Sequence, residues 1–255
     1  MPRLPLGLAG LGLLCLALPA PADLTLSGVS QVVNLNLAQR GQEVLYVKKD
    51  RLRRDVTERG RSYTYVYDAK QKELMRIDHL LRQVEVRRLS GENADPDAGK
   101  GLKLELSPTG RKQELGAWEC QEHLVRASLP GRVGPEPVTV LLEGAVWLAP
   151  KPRELRVLDA FTRALPAHEL FLTASVQGQA APTQVQGVGE VLRRLLPKGM
   201  PCAFELAVNY EGGGAMANLA RRMATRVSLT YDTLSTDALQ DELFDPPVGY
   251  ALSRP

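Results

Sequence analysis

After its first twenty-two residues the chain alternates apolar and polar positions far more often than it repeats them every three or four. That is the pattern of half-buried strands. Val29, Val33, Leu35 and Leu37 share one parity and Leu24 and Leu26 the other. Gly28 stands where the parity changes, which predicts a β-bulge. Gln39-Arg40-Gly41 predicts a turn into a strand over 43–48, a second strand covers 51–57, and Arg59-Gly60-Arg61 turns the chain again. Ser62 to Asp68 is the clearest strand, with Tyr63, Tyr65 and Tyr67 on one face. Such a row is either a packed sheet face with hydroxyls at its margin or a surface on which a ligand stacks. Strands over 73–78 and 83–89 continue the meander.

The stretch 90–101 is rich in Gly, Asn, Asp and Pro and reads as an exposed loop. Asn93, Asp95 and Asp97 alternate as in a calcium loop, but Ala98 stands where that loop needs Gly and Leu104 where it needs Glu. Strands resume over 102–106, 119–127 and 138–149. The period then changes: Leu155, Leu158, Phe161 and Leu165 recur at helical spacing, and Val188, Val191, Leu192 and Leu195 do so again. Strands over 204–210 and 227–231 close the pattern, with a short helical crossing at 216–223 between them. The expectation is a mainly β (α+β) chain: one curved, half-open antiparallel sheet of about eight to ten strands, with a helical insertion over about 152–196 packed on its concave face.

Composition adds an address. Arg3, an apolar run from Leu4 to Leu18 and Ala20-Pro21-Ala22 form the three parts of a secretory signal peptide, cleaved near Ala22. A transmembrane helix, the competing reading, needs roughly 20 apolar residues, and this run is shorter and flanked by prolines. The expected division is a signal peptide over 1–22 and one domain over 23–255, periplasmic or secreted, with no transmembrane anchor after cleavage. Cys120 and Cys202 then remain, and an oxidising compartment permits a disulfide between them; two unrelated buried thiols are the alternative. The 32 Lys+Arg and 29 Asp+Glu nearly cancel. With no dense basic stretch interleaved with aromatics, nothing points to nucleic acid.

No constellation of catalytic residues emerges. His79, His123 and His168 lack metal-ligand spacing, and Cys120 with His123 makes only half a site, on residues that face opposite sides of a strand. There is no G-x-S-x-G elbow, dinucleotide fingerprint or P-loop. The expectation is a non-enzyme without cofactor or metal. Arg51, Arg53, Arg54, Arg59 and Arg61, with Arg87 and Arg88, form local basic clusters. These read as edge-strand charge that discourages aggregation, or as a contact for anionic headgroups or an acidic partner.

Several short stretches, in order, resemble an exported bacterial family known as domain of unknown function forty-four twelve. They are Tyr46-Val47-Lys48-Lys49-Asp50-Arg51-Leu52-Arg53, Tyr67-Asp68-Ala69-Lys70, Leu115-Gly116-Ala117-Trp118-Glu119-Cys120, Gly144-Ala145-Val146-Trp147, Leu196-Pro197-Lys198-Gly199 and Phe244-Asp245-Pro246-Pro247-Val248-Gly249-Tyr250. That family is similar in architecture to LolA-like and LolB-like periplasmic lipoprotein carriers, in which a curved sheet wraps helices around an apolar cavity. The resemblance implies a non-catalytic envelope protein holding a lipid or other apolar ligand. Tyr63, Tyr65, Tyr67, Leu155, Leu158, Phe161 and Leu165 are the candidate face. An interaction or sensor module with a solid core and an envelope protein as partner is the alternative.

Overall fold

The computed structural model describes residues 23–34, 37–58, 60–89, 99–151, 155–164, 182–222 and 224–254. Residues 1–22, where the signal peptide is expected, His168, Leu165 and most of the segment joining the two helical stripes lie outside these residues. Twelve strands form one sheet. Six make the first meander: β1 (Leu24–Asn34), β2 (Leu37–Lys48), β3 (Arg51–Glu58), β4 (Arg61–Asp68), β5 (Glu73–Asp78) and β6 (Gln83–Arg88). Five make the second: β7 (Lys103–Leu115), β8 (Trp118–Val133), β9 (Glu136–Ala149), β10 (Met200–Glu211) and β11 (Thr225–Ser235). The meanders join where β1 pairs antiparallel with β11. A last strand, β12 (Ala251–Ser253), pairs parallel with β6. The order β12-β6-β5-β4-β3-β2-β1-β11-β10-β9-β8-β7 leaves two free edges, so the sheet is open.

The sheet is wider than the expected eight to ten strands: every alternating stretch, the one over 102–106 included, forms a strand of its own, and β12 is added at one edge. β7 runs on through Leu115 although most of its second half is polar and exposed, as suits an edge strand that must not recruit another chain. β12 is too short to show a period. The first hairpin also sits earlier than expected. β2 already begins at Leu37, so residues 39–41 are strand and not turn. Even positions face the core along β1 without interruption; Val29 and Leu37 point to solvent at 40% and 70% exposure. The bulge predicted at Gly28 exists, but its extra residue is Asp232 on β11, where the pairing shifts between Ser27–Thr233 and Gly28–Tyr231.

Among the described residues three α-helices accompany the sheet: α1 (Arg156–Ala164), α2 (Pro182–Leu195) and α3 (Ala215–Arg222). Leu155, Leu158 and Phe161 beside α1, and Val188, Val191, Leu192 and Leu195 on α2, belong to one apolar core with the inward residues of β1–β4 and β7–β11. This core lies on one face of the sheet. On the other face, a segment following β11 crosses β2–β6 and buries Phe244 against Val66, Met75, Ile77 and Val84. A single 3-10 turn, Asp241–Phe244, shapes this strap.

In the second meander β9 and β10 approach closely at Gly144. A side chain at Gly144 on β9 would place its first carbon 1.9 Å from the Glu205 carbonyl oxygen on β10, so only glycine admits this approach. The turn at Gly116 comes back against Leu234 of β11. Cys120 on β8 and Cys202 on β10 are disulfide-bonded, with Cα atoms 6.5 Å apart. Those strands flank β9, and the bond straddles the end of β9 at Ala149.

Candidate functional site

The expected apolar face is a packed core. Tyr67 is 3% exposed and stacks against Phe161 with ring centroids 5.4 Å apart. Leu155 and Leu158 are likewise buried, and Tyr65 packs partly buried against the same cluster. Tyr63, further along β4, is half-buried. So α1 and the tyrosine row do meet, and helix side chains occupy the space between them.

A buried polar network sits beside this core. Glu43 on β2 and Arg54 on β3 are each 2% exposed and joined by a 2.6 Å bond from Arg54 Nη2 to Glu43 Oε2. Tyr231 of β11 donates its hydroxyl to Glu43 Oε1 at 3.0 Å. To do so its ring crosses β1 at Gly28, where a first side-chain carbon would come within 2.9 Å of Tyr231 Cδ1. Burial raises the Tyr231 hydroxyl well above its usual pKa, and the neighbouring Glu43 charge adds to that. Burial opposes the Arg54 charge, but the Glu43 carboxylate outweighs it and holds the guanidinium protonated. The signal for this network lay in the alternation: Glu43 shares parity with Leu45 and Val47, and Arg54 with Leu52 and Val56.

The arginine clusters do other work than expected. β3 lies inside the sheet, between β2 and β4, so edge protection does not explain its charges. Arg54 points into the core, while Arg51 and Arg53 point outward and fasten the strap. Arg51 pairs with Asp241 at 2.5 Å and lies 4.7 Å over the Phe244 ring; Arg53 donates to the Leu243 carbonyl at 2.5 Å. Lys48 donates to the Leu239 carbonyl and pairs with Asp241 at 3.1 Å. The Lys48 hydrogen bond holds the Asp241 carboxyl below its usual pKa. Beyond the 3-10 turn, His79 Nδ1 lies 3.1 Å from the Tyr250 hydroxyl. His79 Nε2 meets Thr64 Oγ1 at 2.9 Å, and Thr64 donates to Asp55 at 2.6 Å. Arg59 lies outside the described residues, and Arg61 and Arg88 are exposed.

The outward face of the second meander carries a groove of about 630 Å³. Its floor is made of small residues, Gly144, Ala145 and Ala207. Cross-strand ion pairs flank it: Arg126 with Glu143 at 3.2 Å and Arg226 with Glu205 at 3.1 Å. Toward the disulfide on the same sheet, Glu122 accepts from Thr109 Oγ1 at 2.6 Å and from Arg111, whose guanidinium lies 5.8 Å over the Trp147 ring. The Thr109 hydrogen bond, helped by Arg111, keeps the Glu122 carboxyl below its usual pKa. Gly144, Ala145 and Trp147 belong to a family-like stretch of the sequence, but the charged residues here did not stand out, since isolated charges on outward positions look like ordinary surface.

The disulfide removes both thiols as metal ligands or nucleophiles. Among the described residues no three His, Cys, Asp or Glu side chains converge as a metal site. No helix of the described residues is long and apolar enough to cross a membrane.

No family model and no curated protein matches the chain, so the family likeness seen in its motifs stays a resemblance. Among solved structures, PNGF-II is similar over 92% of this chain at 10% identity and a TM-score of 0.35. The chain spans about a third of that protein's length, 32%. A LolA superfamily protein from Nitrosomonas europaea aligns with 88% of this chain and 90% of its own, at 10% identity and a TM-score of 0.26. A DUF1329 family protein from Desulfovibrio piger covers the same shares at 9% identity and a TM-score of 0.28. Scores this low transfer no function.

Proposed function

We propose that this chain is a non-catalytic, exported binding module whose interior is filled and whose partner surface is external. The observation that carries it is the packing of Leu155, Leu158 and Phe161 onto Tyr67: the helix stripes meet the sheet directly. The outward groove supplies the surface. Its glycine and alanine floor admits a backbone closely, and its ion-paired walls present both signs of charge at known positions. An extended stretch of an envelope protein, carrying charges of both signs, suits that geometry, because alternate side chains would reach the two walls. The absence of an assembled nucleophile, base or metal cluster from the sequence motifs is consistent with binding alone.

A photo-crosslinking residue at Ala145, introduced in cells of the native host, tests this directly. One reproducible protein adduct is expected; lipid adducts alone, or none, would sink the reading.

A second reading is favoured by the fact that two short helices, and not a second sheet, fill the core face. Helix side chains can be exchanged for an acyl chain while Tyr67 stays buried. In that reading α1 moves aside and the protein carries an apolar ligand. Native mass spectrometry of gently purified protein separates the two: added apolar mass supports carriage, and the bare chain mass supports the filled module.

A further inference from the structure

We propose that one end of the sheet is a docking surface for an anionic lipid membrane. This rests on neither the groove nor the second reading. Strand directions place five connections at that end: the β1–β2, β3–β4, β5–β6 and β8–β9 turns and the β10–β11 connection that contains α3. Of the nine large apolar side chains exposed among the described residues, six sit here. Leu80 and Leu81, both 61% exposed, form the tip of the β5–β6 turn. Val248 is 98% exposed, and the following Gly249 approaches the Arg82 guanidinium of the same turn. Leu37 stands at the start of β2, and Met216 and Leu219 project from α3. The remaining three, Val29, Leu124 and Leu252, lie within strands, so none occupies the opposite end.

The charges at this end select the partner. Arg61, Arg82, Arg221 and Arg222 are exposed among the apolar tips, as is Arg40 near the start of β2. The nearby acids mostly turn inward. Asp78 Oδ1 accepts the backbone amides of Leu80 and Leu81 at 3.0 Å each. Glu136 Oε2 accepts those of Met216 and Ala217 at 3.1 Å each. Of the carboxylates described here, Glu211 remains exposed. The outward charge is therefore arginine. Capping by these two carboxylates also fixes the turns so that the leucine and methionine side chains point out.

A row of separate apolar tips interspersed with arginines suits a fluid surface. Each tip enters the headgroup boundary on its own, and each arginine finds an anionic headgroup. A folded protein would need one continuous complementary face. The apolar tips are few and short, so attachment is peripheral and reversible.

The test is sedimentation of the purified protein with vesicles of phosphatidylglycerol mixed with phosphatidylethanolamine, against vesicles of phosphatidylcholine alone. Binding to the anionic vesicles is expected, and its loss at about 0.5 M salt, where screening shortens the reach of the arginines. Arg221→Gln with Arg222→Gln is expected to weaken it by about fivefold per arginine. Leu80→Ser with Leu81→Ser is expected to weaken it by at least about tenfold. Both pairs are exposed, and circular dichroism melts check that they leave the fold intact; Leu219→Ser is the substitute where either does not. No sedimentation with the anionic vesicles, equal sedimentation with phosphatidylcholine, or retention by all three variants would overturn the proposal. So would capture of this end by a protein in place of lipid, read by crosslinking from Leu81.

Discussion

Removing one charge from the buried Glu43–Arg54–Tyr231 network is expected to destabilise the protein more than removing the whole network. Glu43 is 2% exposed and receives one charged bond, from Arg54 at 2.6 Å, and one neutral bond, from Tyr231 at 3.0 Å. Arg54→Met leaves a carboxylate in the core with only the tyrosine hydroxyl, a situation that costs about 3–5 kcal/mol. Tyr231→Phe removes the weaker partner and is expected to cost about 1.5–3 kcal/mol, the range for a hydrogen bond to a charged group. The triple change Glu43→Leu, Arg54→Met and Tyr231→Phe replaces all three by apolar groups of similar size. It removes the buried charges together and is expected to fall within about 2 kcal/mol of the unaltered protein. Urea unfolding followed by the fluorescence of Trp118 and Trp147 measures each step. The reasoning fails if Arg54→Met costs less than about 1 kcal/mol, or if the triple change costs the sum of its parts.

Three further outcomes follow from the same geometry. Burial raises the Tyr231 pKa in the folded state, so the unfolded state loses that proton first as pH rises. Stability is then fully present below about pH 10 and falls by about 1.4 kcal/mol per pH unit above it; Tyr231→Phe flattens that slope by one proton, read from urea midpoints across alkaline pH. Reducing the Cys120–Cys202 bond, which closes a loop of 82 residues, lowers stability by about 4–5 kcal/mol by the chain-entropy relation; a melting temperature indifferent to reductant would contradict it. Phe244→Ala opens the contact under the strap and costs about 3 kcal/mol, seen as faster amide hydrogen exchange over 239–250 with the core strands still protected.

Much of the first meander was legible because each strand buries one face and shows period two: β4, β5 and β6 lie close to where their alternation put them. The helical stripes of Leu155–Phe161 and Val188–Leu195 were legible for the same reason at a different period. The edge strands were legible only in part: the alternation over 102–106 marked the start of β7, its polar second half packs little and so leaves no pattern, and β12 is too short to show one. The β1–β2 hairpin was misplaced because Val29, Val33 and Leu37 are apolar residues on the outward face, and a valine there reads the same as one in the core. The arginines of β3 show the limit most clearly. Three cations in four residues look like surface, yet position decides their roles: Arg54 is opposite an inward Glu43, and Arg51 and Arg53 meet a segment 190 residues away in sequence. No local pattern contains that partner.

Coverage narrows where a partner can bind. The helix-bearing face is filled by α1 and α2 against the inward strand residues. The opposite face over β3–β6 is occupied by the strap, which Lys48, Arg51 and Arg53 hold through three separate contacts. Two open places among the described residues are the outward face of β7–β11, with its small-residue floor, and the end of the sheet that bears Leu80, Leu81 and α3. The first is braced by the disulfide, which ties β8 to β10, and by the close backbone approach at Gly144. The second is a set of turns in which Asp78 and Glu136 serve as caps. A braced groove discriminates among defined segments, and a fringe of apolar tips adapts to a soft surface. The two openings therefore differ in what they can recognise, and a molecule attached to a membrane by its turns would present the groove sideways, along the plane of the bilayer.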